Sequence, residues 1–167
     1  MVRAVITNIV NYGSGRRPVG ASTITQQVTK NFLLTNEVSI DRKIREAILS
    51  LRMERAFTKD QILALYLNEI YLGRGSYGVA AAALKYFDKS LNQLDLQEMA
   101  YLAALPKAPN NYHPTHNRRA ATVRRNWVLR EMQQNGYISE GEAAQAKDMP
   151  LQMSGESGFD GADAPYF

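Results

Sequence analysis

GASTITQQVTKN, Gly20 to Asn31, joins a helix-opening signal to an unusual polar surface. Thr23 with Gln26 three residues on makes a capping-box pattern: each side chain can satisfy the other residue's backbone N–H. Ile24, Val28 and Phe32 follow at a spacing of four, one face of a helix. The same punctuation recurs downstream. Thr58 with Gln61 opens KDQILALYLNEIYLG, Asp95 with Glu98 opens LQEMAYLAAL, and Ser139 with Glu142 opens a last short helix. No internal repeat and no convincing pair of strands competes with them. The fold class is all-α.

At 167 residues the chain is long enough for one domain with a core and too short for two comfortable ones. A 45% hydrophobic and 22% charged composition is that of an ordinary globular protein. A net charge of +4 favours anionic partners: nucleic acid, an acidic membrane surface or a phosphorylated substrate. The lack of cysteine excludes disulfides and thiol catalysis. No apolar run is long enough to span a bilayer, and Met1–Tyr12 lacks a signal peptide's apolar core.

Along the chain, Val2–Val10 is a short apolar-rich segment that runs into NYGSGRRPVG, a glycine- and arginine-bearing loop. After LLTNEVSID a long helix is expected from about Ile40 to Arg55, with Ile40, Ile44, Ala47, Ile48 and Leu51 as its core stripe. The helix after Thr58 is apolar nearly all round, which predicts burial. Gly73 is its expected C-cap and Asn68 a structural hydrogen-bonding group inside it. GVAAAALKYF reads as a small-residue helix that lets a neighbour approach closely. A basic helix from Arg118 to Gln134 ends at Gly136, its arginines forming a solvated cationic face. His113 and His116, without a neighbouring carboxylate, make a weak metal site. Residues 1–150 form the domain, and 151–167 read as a linker.

Two faces carry candidate chemistry. On the Thr23 helix, Gln26 and Lys30 share a face, with Gln27 and Asn31 in a parallel row. Neutral amides around one cation, at a helix N-terminus, suit hydroxyls and phosphate oxygens better than bulk water. On the next helix, Glu46 stands near Arg42 with Lys43 on its flank, on a side that also carries Leu49 and Met53. A carboxylate among cations on a half-apolar face is a structural ion pair or a working acid, base or metal-organising group. The residues alone leave both open.

GASTITQQVTKN, RKIRE (Arg42–Glu46), KDQILALYLNEIYLG (Lys59–Gly73) and RRNWVLREM (Arg124–Met132) fall in the order and spacing of the peptidoglycan glycosyltransferase family. The chain resembles that family from about Val2 to Lys147, and in particular the glycosyltransferase domain of class A penicillin-binding proteins. The resemblance implies a lysozyme-like helical fold at the outer, periplasmic face of the cytoplasmic membrane. It implies polymerisation of lipid II, in which an acceptor sugar hydroxyl attacks the anomeric carbon of the growing glycan chain and displaces undecaprenyl diphosphate. Substrate-binding roles carry over to Ser22, Thr23, Gln26, Gln27, Lys30, Asn31, Arg42 and Lys43, and the catalytic role to Glu46. Glu46 would organise the diphosphate directly or through Mg²⁺ or Mn²⁺; no organic cofactor is implied. Lys30 and Glu46 are then expected to face one cleft, and Val2–Val10, with Arg3, Arg16 and Arg17, to lie close to lipid.

The sequence departs from the family pattern in two places. The acidic motif Glu-Asp-x-x-Phe-x-x-His-x-Gly, which carries the proposed general base, is not found, nor is a membrane anchor. A family arginine that helps bind diphosphate falls at Val38. DAPYF resembles the entry to a transpeptidase domain, so the chain reads as part of a bifunctional enzyme that binds donor ligands and polymerises poorly alone. Two other classes compete with that reading. A lysozyme-like hydrolase needs a second placed carboxylate. A basic nucleic-acid-binding module needs its arginines grouped on one face, and these are scattered.

Overall fold

Residues 22–32, 40–114 and 116–154 are described by the computed structural model. The Val2–Val10 segment, the loop after it, Val38 and DAPYF lie outside the described residues, as do the side chains of Phe32 and Ile40. Seven α-helices are present among the described residues: α1 Ile24–Phe32, α2 Ile40–Ala56, α3 Lys59–Glu69, α4 Val79–Phe87, α5 Leu96–Ala104, α6 Arg118–Gln134 and α7 Glu140–Asp148. Short 3₁₀ turns at Leu91–Gln93 and Leu105–Lys107 connect some of them, and the one strand-like feature described is an isolated bridge between Tyr71 and Tyr77. The all-α expectation holds. The contacts divide the chain after Glu69 into two units.

In the first unit α1 packs against both α2 and α3. Thr23 and Gln26 close the expected capping box, Thr23 N–H donating to Gln26 Oε1 and Gln26 N–H to Thr23 Oγ1, both at 3.2 Å. Thr58 and Gln61 do the same ahead of α3. The faces, however, differ from expectation. On α2 the buried residues are Glu46 and Ser50, whereas Ile44, Ile48 and Leu51 are about half exposed at 52%, 48% and 58%. The expected core stripe is turned outward because the side facing α1 is the side whose polar groups find partners there, as described below. α3 is likewise not enclosed. Ile62 is its buried residue, Leu63 and Leu67 are exposed, and Asn68 is exposed rather than a buried structural group. A three-helix unit offers α3 one packing face, however apolar its other sides are. Val28 is the buried apolar residue of α1; Ile24, expected on the same stripe, is 43% exposed.

The second unit has the larger core. Ala82 and Ala83 of α4 are fully buried, and their small side chains let α5 approach. Tyr86 and Phe87 pack edge-on against Tyr101 of α5, with ring centroids 5.6 and 6.0 Å apart. Both buried phenols are satisfied: Tyr86 Oη donates to Leu72 O and Tyr101 Oη to Tyr112 O, each at 2.9 Å. Burial pushes both hydroxyls above their ordinary range. Gly73 is not the end of α3, which stops at Glu69; it forms a tight turn closed by Ser76 N–H to Gly73 O. Its φ of +88° favours glycine, and an added Cβ would meet Tyr86 Oη at 2.8 Å. The capping boxes of α5 and α7 form as expected.

Arg125 is not part of a solvated face. It is 1% exposed and donates to Lys147 O at 2.9 Å and Met149 O at 2.7 Å, satisfying carbonyls at the end of α7. Nor does packing end at Pro150: Leu151 and Met153 are buried in the core, and Ser154 N–H donates to Tyr86 O. A linker read from proline and polar composition begins at least four residues too early.

Candidate active site

The site is built where α1 meets α2. Burying a carboxylate costs several kcal/mol unless charges of opposite sign and hydrogen bonds replace its water. Glu46 is 1% exposed, and its own helix supplies the replacements one turn back. Lys43 Nζ lies 2.7 Å from Oε2 and Arg42 Nε lies 3.3 Å from Oε1. The first contact is an aligned hydrogen bond. The second is an ion pair without that alignment, which leaves the enclosed Oε1 short of a hydrogen bond. Lys43 also donates to Ser22 Oγ at 3.3 Å, so one ammonium joins the start of α1 to the carboxylate on α2. Its side chain is 56% exposed, against 2% for that of Glu46. The lysine is thus the accessible member of a closed ion pair.

Three buried or half-buried hydroxyls run beside this cluster. Thr25 Oγ1 donates to Glu54 at 2.8 Å, and Thr29 Oγ1 lies 3.1 Å from Ser50 Oγ. Ser50 Oγ donates in turn to Glu46 O at 2.6 Å. These residues were not singled out from the sequence; the available signal was two threonines one turn apart flanking Val28.

The structure therefore brings together Ser22, Arg42, Lys43 and Glu46. Thr23 and Gln26 are engaged with each other at the helix start, which leaves the Gln26 amide nitrogen for other partners. Gln27 is half-buried, while Lys30 and Asn31 stand exposed near the end of α1. A groove of about 670 Å³ in the first unit lies elsewhere: it is lined by Ile24, Phe57 and Leu63 among others and does not include Glu46. The charge arrangement, rather than groove size, marks the site, because an anionic ligand is held by placed cations. Among the described residues no group of three His, Cys, Asp or Glu could hold a metal. His113 and His116 stack with centroids 4.8 Å apart in the second unit.

A transglycosylase family model matches residues 1–133. The chain belongs to the transglycosylase family. Its similarity to named relatives extends over its whole length. It is 52% identical over 167 residues to penicillin-binding protein 1A of Rickettsia felis, covering all of this chain and 21% of that protein. It is 46% identical over 153 residues to penicillin-binding protein 1A of Escherichia coli, covering 92% of this chain and 18% of the relative. A crystal structure of penicillin-binding protein 1A from Haemophilus influenzae aligns with a TM-score of 0.53 and 40% identity, over 83% of this chain and 18% of that one. This transglycosylase chain spans about a fifth of the length of the curated relatives it matches. A glycosyl-transferring role and the helical fold agree with that membership.

Proposed function

We propose that the chain is a peptidoglycan glycosyltransferase domain that extends glycan strands from lipid II. The observation that carries the reading is the enclosed Glu46 carboxylate with Lys43 shared between it and Ser22. In the reaction the acceptor's sugar hydroxyl forms a bond to the anomeric carbon as the bond from that carbon to diphosphate oxygen breaks. Undecaprenyl diphosphate leaves with the bonding electrons, and the hydroxyl proton passes to a base. Negative charge therefore grows on the diphosphate, and cations placed for it act mainly in the transition state. Arg42 and Lys43 are the cations at Glu46; Lys30, exposed on α1, would add a third, with Ser22, Thr23, Gln26, Gln27 and Asn31 as hydrogen-bonding groups for phosphate and sugar. Glu46 holds Arg42 and Lys43 in place.

One carboxylate already held by two cations is not a divalent-metal cage. Mg²⁺ or Mn²⁺ would instead arrive on the diphosphate, where it would neutralise phosphate charge. The domain would work against a lipid surface on the periplasmic side of the cytoplasmic membrane, alongside a transpeptidase domain of a longer chain. The test is titration of the chain with moenomycin, a family inhibitor resembling the growing glycan. Saturable binding is expected, weakened about tenfold or more by Lys30→Ala or Glu46→Gln, since each removes a charge-assisted contact. No saturable binding, or equal binding by folded variants, would overturn the proposal.

A further inference from the structure

The contact between α1 and α2 uses hydroxyls at positions where a helix pair ordinarily buries aliphatic side chains. Thr25 and Thr29 of α1 are 7% and 0% exposed; opposite them Ser50 is 5% exposed and Glu46 1%. Meanwhile α2 leaves Ile44, Ile48 and Leu51 half outside. An apolar contact is non-directional and tolerates sliding of one helix along the other. A hydrogen bond does not, because it weakens steeply with distance and angle.

Thr29 and Ser50 own one hydroxyl proton each but share three contacts: Thr29 Oγ1 with Gln26 O at 3.1 Å, Ser50 Oγ with Glu46 O at 2.6 Å, and the two oxygens with each other at 3.1 Å. The shortest contact claims the Ser50 proton. Ser50 Oγ is then left as an acceptor, and the Thr29 hydroxyl, equally distant from Gln26 O of its own helix, is the donor on α1 within reach of it. When the Thr29 proton points to Ser50, it closes a bridge from α1 to the backbone carbonyl of Glu46.

We propose that the Thr29–Ser50 hydroxyl pair is a positioning element for the site: it sets the register of α1 against α2 that lets Lys43, bound to Glu46 on its own helix, also reach Ser22. The proposal rests on the glycosyltransferase reading for its functional consequence, but the register itself can be measured without it. Neither residue need touch substrate. Both act through Lys43.

The experiment compares Thr29→Val, which keeps shape and removes the donor, with Thr29→Ser, which restores it. Moenomycin affinity should fall about tenfold in Thr29→Val, the scale of one lost buried hydrogen bond, and stay within about twofold of the parent in Thr29→Ser. In a Lys43→Ala background, Thr29→Val should have little further effect, because the group it positions is gone. Additive losses would overturn the proposal, as would equal affinity of the two Thr29 variants. Because the chain has no cysteine, spin labels on cysteines introduced at the exposed positions Ile24 and Arg55 report the register directly. Their distance distribution should broaden in Thr29→Val and not in Thr29→Ser. An unchanged distribution overturns the register claim. Failure of the parent chain to bind moenomycin while the distribution still broadens would overturn the glycosyltransferase reading and leave the register standing.

Discussion

At the scale of single residues, the arginines divide by what they can reach. Arg124 lies over the Trp127 ring at 3.8 Å, a partly buried cation–π contact. Its neighbour Arg125 points the other way and is enclosed, and desolvation lowers its pKa from the ordinary arginine value. That burial is tolerable because its guanidinium donates to Asn126, Lys147 and Met149. Arg125→Met should therefore lower stability by about 3 kcal/mol, mostly by leaving the carbonyls at the end of α7 without a buried donor. Urea denaturation followed by circular dichroism checks this; a loss below about 1 kcal/mol means that water replaces the arginine. Sequence could not separate Arg124 from Arg125. Both carry the same charge, and which one turns inward depends on where the chain beyond α7 returns. Glu46 was more legible, since Arg42 and Lys43 lie one turn back on its own helix and needed no tertiary knowledge.

At the scale of elements, starts were legible and faces were not. A capping box is local: its partners sit three residues apart, so Thr23, Thr58, Asp95 and Ser139 could all be read directly. The stripe Ile44, Ile48 and Leu51 is also a true periodicity, yet periodicity says only that a face exists, not what packs on it. Here α1 presents threonines, so the polar side of α2 was drawn inward. The capping box of α7 offers a clean test of the local kind. Ser139 Oγ accepts from Glu142 N–H at 3.2 Å, and the Glu142 carboxylate accepts from the Ser139 hydroxyl and N–H at 2.7 and 2.8 Å. These hydrogen bonds lower the Glu142 pKa below its ordinary value of 4.5. A carboxyl lowered on folding adds stability above its unfolded pKa, and that stability disappears as pH falls through the folded value. Ser139→Ala should cost about 1 kcal/mol near neutrality and less as the pH falls below 4.5. Thermal melts across that range should show the two proteins converging in acid; a constant gap would mean that the serine acts without the carboxylate.

At the scale of the whole molecule, the two units divide the work in the proposed reading. The second supplies the aromatic core of Tyr86, Phe87 and Tyr101, while the first carries the cations, the amides and Glu46. The residues proposed for the diphosphate lie in that first unit, but a base for the acceptor hydroxyl is not among those the resemblance assigns. Glu46 is committed to Arg42 and Lys43, and Glu54 accepts from Thr25. A positioned general base typically contributes about 10²–10⁴-fold, or roughly 3–5 kcal/mol of barrier. These 167 residues are therefore expected to bind donor-site ligands while polymerising lipid II slowly. A version extended upstream with an acidic segment of the form Glu-Asp-x-x-Phe-x-x-His-x-Gly should polymerise at least about a hundredfold faster. Gel analysis of labelled lipid II products from both proteins, each with Glu46→Gln alongside, decides the matter. Equal polymer from the short and extended chains would place the base within these 167 residues. In that case Glu46, freed when Lys43 moves to the diphosphate, becomes the first carboxylate to test, and its Gln variant should then abolish polymer in the short chain.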